Sequence, residues 1–310
     1  MRKRSFLLCL PALLFLAGCD FEDFGSSDRY TADFHYANYH LKPGGSLSVE
    51  NMNGSIELSG WDQDTVDISG VKYAATPELR DAIKIDIVET GNSIQIRTIK
   101  PSERHGNLGA KYVIRVPRKT ELARITSSNG AIRVTDMEGG ARLRSSNGGI
   151  HVANLKGNLD AQTSNGGIEV QDAEGATILR TSNGRVHAEG VRGSLEAHSS
   201  NGGINVHLAK TEAGRPVRLD TSNGSIDLTV DNTNQNDVYA STSNAGITVH
   251  MPASINARVR AHTSNASISS DFDVQVQGQI SKHSLEGTIG SGGPVLDLST
   301  SNGGIRLEKL

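Results

Sequence analysis

The tripeptide Ser/Thr-Ser-Asn recurs nine times, closing at Asn129, Asn147, Asn165, Asn183, Asn201, Asn223, Asn244, Asn265 and Asn302. Successive Asn residues lie 18, 18, 18, 18, 22, 21, 21 and 37 positions apart. A unit this short cannot close a core of its own, so each must bury its apolar face against its neighbours, as in a solenoid. Within the 37-residue interval, Glu286-Gly287-Thr288-Ile289 aligns with Asn-Gly-Gly-Ile and splits it in two. That alignment predicts ten turns stacked in the order of the sequence.

The flanking residues fix the kind of turn. Three positions after each Asn stand Ile132, Ile150, Ile168, Val186, Ile204, Ile226, Ile247, Ile268 and Ile305, and two further on the side chain is again mostly apolar. Four positions before the Asn stand Ile125, Leu143, Ala161, Leu179, Ala197, Leu219, Ala240, Ala261 and Leu298. This period of two on both sides predicts two short strands per turn, joined at an Asn-Gly corner, each with one apolar and one polar face. Eighteen residues have no room for two helices or a βαβ unit. The fold class is therefore all-β: a β-solenoid (parallel β-helix) with turns of 18–22 residues.

Stacking at the strand spacing of about 4.8 Å turns each column of equivalent residues into a ladder. Extending the alternation through the corner places the nine Asn residues, and the Ser/Thr two before each, on its inner side. There an amide can donate and accept along the stack and so escape the cost of an unpaired buried polar group. Glycines after the Asn, such as Gly166-Gly167 and Gly202-Gly203, permit the positive φ or close approach of a tight corner.

Residues 34–120 are less regular, yet Ser46–Asn51, Ser55–Ser59, Thr65–Tyr73, Ile83–Glu89, Ser93–Thr98 and Tyr112–Val116 alternate like strands. Thr76-Pro77 opens a short helix to about Ala82. Asn53-Gly54-Ser55-Ile56 is a degenerate copy of the repeat, so this region is expected to begin the same β structure and cap its N-terminal end. The terminal Glu308-Lys309 pair is expected to guard the other end against strand addition. Aromatics make up only 4% of the chain, so the core must be built from Ile, Val, Leu and Ala.

The first nineteen residues read as a targeting segment. Arg2-Lys3-Arg4 precedes an apolar run from Phe6 to Leu16, too short for a spanning helix, and the run ends Leu16-Ala17-Gly18-Cys19. This ending resembles the lipobox of bacterial lipoproteins, which implies a signal peptide over 1–18, lipidation of Cys19 and a membrane anchor. Residues 19–33 would then carry the lipidated Cys and a flexible tether, with the irregular β cap over 34–120 and the repeats over 121–310. Cys9 and Cys19 are the only cysteines, so the mature chain offers no disulfide or Cys-type zinc site. Loss of Arg2, Lys3 and Arg4 takes the net charge from −3 to −6, an acidity that argues against nucleic acid as a partner. Asp20 resembles an inner-membrane retention signal, and both membranes of the envelope stay open as the site of anchoring.

The Thr-Ser-Asn-Gly-Gly-Ile-x-Val repeat, Gly60-Trp61-Asp62 and the closing run Gly292-Gly293-Pro294-Val295-Leu296-Asp297-Leu298 resemble the bacterial putative-adhesin family of β-strand-repeat proteins, a domain of unknown function. The resemblance covers about Gly44 to Leu310. It implies a β-helical fold and an envelope or surface location, and carries over no functional residues.

Two outward constellations are candidates for chemistry. His151, Glu169 and His187 fall four residues after consecutive Asn corners, a column that either holds a divalent metal ion or pairs opposite charges across strands. Arg124, Arg142, Arg144, Arg180 and Arg218 fall on the strands before the corners, interrupted by Asp160, Glu196 and Asp220. These arginines either grip an anionic glycan or an acidic protein surface, or keep the sheet soluble. No nucleophile elbow, zinc-protease helix or phosphate loop occurs, and no cofactor is expected. The expected function is non-enzymatic: an envelope lipoprotein presenting a β-solenoid to a glycan or protein partner. A carbohydrate-active β-helix enzyme is the alternative, and clustered acids breaking the columns would mark it.

Overall fold

The computed structural model describes residues 29–101, 107–208, 215–231, 236–276 and 281–310. Cys19 and the segment expected as a signal peptide lie outside the described residues.

Two sheets, of 13 and 14 strands, face each other across one continuous apolar core that runs from Leu41 to Leu307. Each repeat contributes one strand to each sheet. The strand before the corner, such as Thr177–Thr181, joins the larger sheet, and the strand after it, such as Val186–Glu189, joins the smaller. Successive turns pair in parallel with like residue on like, as in Ile132, Ile150, Ile168, Val186 and Ile204. The alternating pattern is buried as expected: Val217–Thr221 and Ile247–Met251 bury every second side chain.

At each corner the Ser or Thr two before the Asn is buried, and at every corner but that of Thr242 it bonds twice. Thr181 Oγ1 donates to Gly166 O of the turn beneath at 2.9 Å and accepts from Gly184 N–H at 3.2 Å. One hydroxyl thus satisfies two backbone groups and fixes the stagger between turns. The glycine is required by close approach, because a Cβ on Gly184 would lie 1.8 Å from Gly166 O. Ala245 and Ala266 take this place at two later turns, and Ala266 N–H then reaches Thr263 Oγ1 only at 3.4 Å.

The Asn residues depart from expectation. They form the ladder, but on the outside of the corner, where all nine are exposed. Asn165 Nδ2 donates to Asn147 Oδ1 at 2.7 Å, Asn183 to Asn165 at 2.7 Å and Asn201 to Asn183 at 2.7 Å. Asn129 extends the chain of amides down to Asn53. Strict alternation fails because the buried Ser/Thr draws its own hydroxyl back to the next glycine N–H, and the chain between them bulges outward.

The C-terminal turn also breaks sequence order. Strands Val295–Thr300 and Ile305–Lys309 insert between the turns of Asn244 and Asn265: Val238–Thr242 pairs with Val295–Thr300, which pairs with Ala257–Thr263. Likewise Ile247–Met251 pairs with Ile305–Lys309, which pairs with Ile268–Ser270. The amide ladder follows the new order, Asn302 to Asn244 at 2.9 Å and Asn265 to Asn302 at 2.7 Å. Glu286-Gly287-Thr288-Ile289 is therefore not a corner; Ser284–Ile289 runs antiparallel to Ala257–Thr263. Nor does the Glu308-Lys309 pair guard an end, since its strand is internal. Three-residue strands, Ile268–Ser270 and Val274–Val276, blunt that end instead, with Phe272 buried beneath the Lys309 ammonium.

The N-terminal region holds β1 Tyr30–His40, β2 Ser46–Glu50, β3 Ile56–Trp61, β4 Thr65–Ala74, α1 Pro77–Ala82, β5 Lys84–Thr90, β6 Ser93–Ile99 and β7 Gly109–Pro117. β1 takes in residues 30–33 of the segment expected as tether. β2 and β3 pair in parallel with the first repeat turn, and β6 and β7 stack on them. β4 and β1 then close the smaller sheet in antiparallel fashion, and β5 the larger. Thr76 caps α1, and Arg80 Nη1 donates to Thr31 O, covering part of the free edge of β1.

Tyr112 on β7 sits at the centre of this cap, fully buried, its hydroxyl 2.6 Å from Thr98 Oγ1. Burial pushes its phenol up to about 12 from an ordinary 10.0, against the opposing pull of the Thr98 hydrogen bond. The folded state thus favours the protonated phenol. The stability this lends is whole below pH 10 and is lost between pH 10 and about 12, at about 1.4 kcal/mol for every tenfold difference in proton affinity between the folded and unfolded chain. Alkaline unfolding curves should show Tyr112→Phe losing about 2–3 kcal/mol less than the parent over that window. Equal losses in the two proteins would contradict this account.

Candidate functional site

The outer faces of the two sheets and the corner ridge carry every candidate group. On the smaller sheet, His151, Glu169 and His187 occupy one column on consecutive turns, as the spacing predicts. They do not converge. His151 Nδ1 meets Glu169 Oε2 at 3.0 Å, while His187 Nδ1 turns to Asn205 Oδ1 on the next turn at 3.0 Å. Among the described residues no group of three His, Cys, Asp or Glu side chains is arranged to hold a metal ion. The geometry is that of cross-strand pairing.

On the larger sheet four of the five arginines divide between two neighbouring columns, while Arg124 lies at a register shift opposite Ser48. Arg142, Asp160, Ile178, Glu196 and Arg218 form one; Arg144, Gln162, Arg180, His198 and Asp220 form the other. Asp160 is the hub: Arg144 Nη2 bonds to it, and Arg142 and Arg180 stand at 3.9 Å. Arg180 also bonds Glu196 at 2.7 Å, Arg124 faces Glu50 at 3.5 Å, and Arg218 stacks over Tyr239 with its guanidinium carbon 4.9 Å from the ring centre. Burial raises the Asp220 carboxyl above its ordinary range, against His198 and Arg218. Each arginine therefore already has an acidic or aromatic neighbour. An anionic ligand would have to compete with carboxylates that are in place, and exposed pairs of this kind stabilise weakly.

One feature of the smaller sheet's edge escaped sequence reasoning. Asp136, Asn154 and Asp172 hold φ of 58°, 55° and 50°, and Gly190 continues the column at 68°. The strands kink outward there, so that Met137, Leu155 and Ala173 re-enter the core. Asn154 Nδ2 donates to Asp136 Oδ1 at 3.0 Å. The signal was in the sequence: Asp, Asn, Asp and Gly at 18-residue spacing are the residue types that tolerate the left-handed region. Beside this lip runs a shallow groove of about 220 Å³ floored by Thr135 and Ala153 and walled by Arg133, His151 and Glu169. A second hollow of about 300 Å³ follows at Asp172, Glu189 and His207.

In the cap, Asp67 receives Arg115 at 2.7 Å and His35, while the Arg115 guanidinium lies 4.7 Å from the centre of the Trp61 ring. Burial works to raise the Asp67 carboxyl, but the hydrogen bonds from Arg115 and His35 prevail and hold it below its usual value.

These features define a two-sheet β-solenoid in which the His, Glu and Arg columns of the outer faces pair across strands. No known family profile and no curated protein matches the chain. Solved structures to which the chain is similar include a putative adhesin of Parabacteroides distasonis, 12% identical, covering 91% of this chain and 98% of that one, with a TM-score of 0.38. Another is a putative adhesin of Bacteroides fragilis at 14% identity, 91% and 98% coverage and a TM-score of 0.36. A putative cell adhesion protein of Clostridium sporogenes matches at 12% identity, 91% and 100% coverage and a TM-score of 0.26.

Proposed function

We propose that this chain is a lipid-anchored protein of the bacterial envelope that binds an extended partner, glycan or protein, through its repetitive polar surface and does not turn it over. The observation that carries the reading is the uninterrupted stack of corners from Asn129 to Asn265, which repeats the same polar groups along one rigid axis. Rigid repetition suits avidity, in which many weak contacts on one long partner add up. The lipobox ending at Cys19 supports anchoring, since acyl chains hold a protein at a membrane without any apolar patch on its folded part.

The full-length protein, solubilised in detergent and tagged after the exposed Leu310, tests both halves. Cys19→Ala should abolish acylation and release the chain from membranes. The wild type, incubated with peptidoglycan, envelope polysaccharide and envelope proteins, should retain a defined ligand and leave glycans intact. New reducing or unsaturated sugar ends would instead make it an enzyme.

A further inference from the structure

We infer that the corner ridge is the binding surface, and that it takes an uncharged polysaccharide lying along the solenoid axis; this rests on the binding role proposed above. What points to the ridge is a residue that the fold does not need. The position before each Asn is Ser in all nine turns, from Ser128 through Ser164, Ser182 and Ser200 to Ser301. Seven of these nine are exposed and two, Ser128 and Ser200, are half-buried. Their hydroxyls form no hydrogen bond to another described group, whereas the buried hydroxyl one position earlier always does, as at Thr163 and Thr181.

Contrast among columns of the same chain gives this its weight. The buried column, where a hydroxyl is structurally required, accepts either Ser or Thr. The outward column four residues after the Asn varies freely through Arg133, His151, Glu169, Asn205 and Thr248. An exposed position with no internal bond should vary like the second and instead varies less than the first. The inserted C-terminal turn keeps it too, so that Ser301 falls into the row between Ser243 and Ser264 although it comes last in the chain.

The neighbouring Asn row adds to the surface. Each amide except the terminal Asn265, which only donates, spends one N–H and one lone pair on the ladder and keeps one of each free beside an unbonded hydroxyl. Every rung thus offers donors and acceptors in pairs, about 4.8 Å apart, over nine rungs or roughly 40 Å. These two rows contain no charge and no apolar side chain. A nucleic acid would need cations to replace its counterions, and a protein partner would need aromatic or aliphatic anchors that the ridge lacks. Sugar hydroxyls, which donate and accept at short regular intervals, fit what remains.

Microcrystalline cellulose and chitin serve as uncharged polymers, and heparin resin and immobilised envelope proteins as the other arms, with the tagged full-length protein. Retention on a neutral polymer is expected, unchanged between low salt and about 0.5 M because no ion pair is involved. Substituting Ser164, Ser182 and Ser200 together by Ala should weaken it about tenfold or more, the effect of three lost hydrogen bonds, at an unchanged melting temperature. Ser182→Glu, which puts a charge into the row, should do the same. Undiminished retention of both variants would overturn the ridge as the site and leave the binding role standing. Retention only on heparin or envelope proteins would overturn the glycan as partner, again without touching that role. No retention on any arm would overturn both.

Discussion

A chain ending at Gly293 is expected to lose the strands Ala257–Thr263, Ile268–Ser270, Val274–Val276 and Ser284–Ile289 while the strands from Glu121–Ser127 to Ile247–Met251 stay folded. The deleted strands bury Leu296, Leu298, Ile305 and Leu307, each at most 2% exposed. At about 1.5–3 kcal/mol per side chain, their removal costs about 6–12 kcal/mol, the scale of a whole domain's stability. The loss stays local because a solenoid turn interacts only with its neighbours. Ala257–Thr263 would keep only Ser284–Ile289 as its neighbour, with the three-residue strand Val274–Val276 beyond it, a small remnant sheet whose facing strand Ile268–Ser270 has lost its own partner. Amide hydrogen exchange reads the outcome directly. Protection retained over residues 257–276 would show that this turn had restacked on Val238–Thr242, which the 21-residue spacing from Asn244 to Asn265 permits.

What argues against restacking is the pattern of side-chain sizes in the column four residues before the Asn. Read in spatial order it opens with two large residues, Ile125 and Leu143, and from Leu143 onward runs Ala161, Leu179, Ala197, Leu219, Ala240, Leu298, Ala261, an alternation of large and small. Read in sequence order, Ala240 is followed by Ala261 and the alternation fails. Facing positions that alternate in size fill the space between layers without voids. Restacking would set Ala240 against Ala261 and leave a gap.

The insertion of the last turn was thus written in the sequence, in a register that period counting does not read. The Asn spacing reveals turns but not their order, since any two units with the same corner can stack; only the volumes of the buried side chains discriminate. The exposure of the Asn ladder was hidden for a different reason. Strict alternation assigns Asn165 and Thr163 to the same side, and only the double hydrogen bonding of the Thr163 hydroxyl, to Gly148 O and from Gly166 N–H, explains why the chain steps outward between them. The cap was legible where its strands alternate and where Thr76-Pro77 announces a helix. On the outer faces, the column holding His151, Glu169 and His187 follows from spacing alone, but the choice of partners, Glu169 for His151 and Asn205 for His187, depends on rotamers that spacing does not determine.

The same alternation predicts the largest effect of a single substitution in the repeats. Leu179 is fully buried, between Ala161 below and Ala197 above. Leu179→Ala would make three alanines in succession and open a cavity that parallel strands on both sides hold apart, for a cost at the upper end of the usual range of about 2–5 kcal/mol. Ala197→Leu alone should cost about 1–3 kcal/mol, because the new side chain meets Leu179 and Leu219 at once. The double variant Leu179→Ala/Ala197→Leu keeps total volume constant, and in an adaptable core it would recover most of the loss. Here it should not, since it sets the new alanine against Ala161 and the new leucine against Leu219, two small and two large residues in sequence with the phase of the ladder broken. Denaturant unfolding of the four proteins decides the matter. A double variant within about 1 kcal/mol of the parent would mean that volume alone governs this core, and that the large–small order does not hold the inserted turn in place.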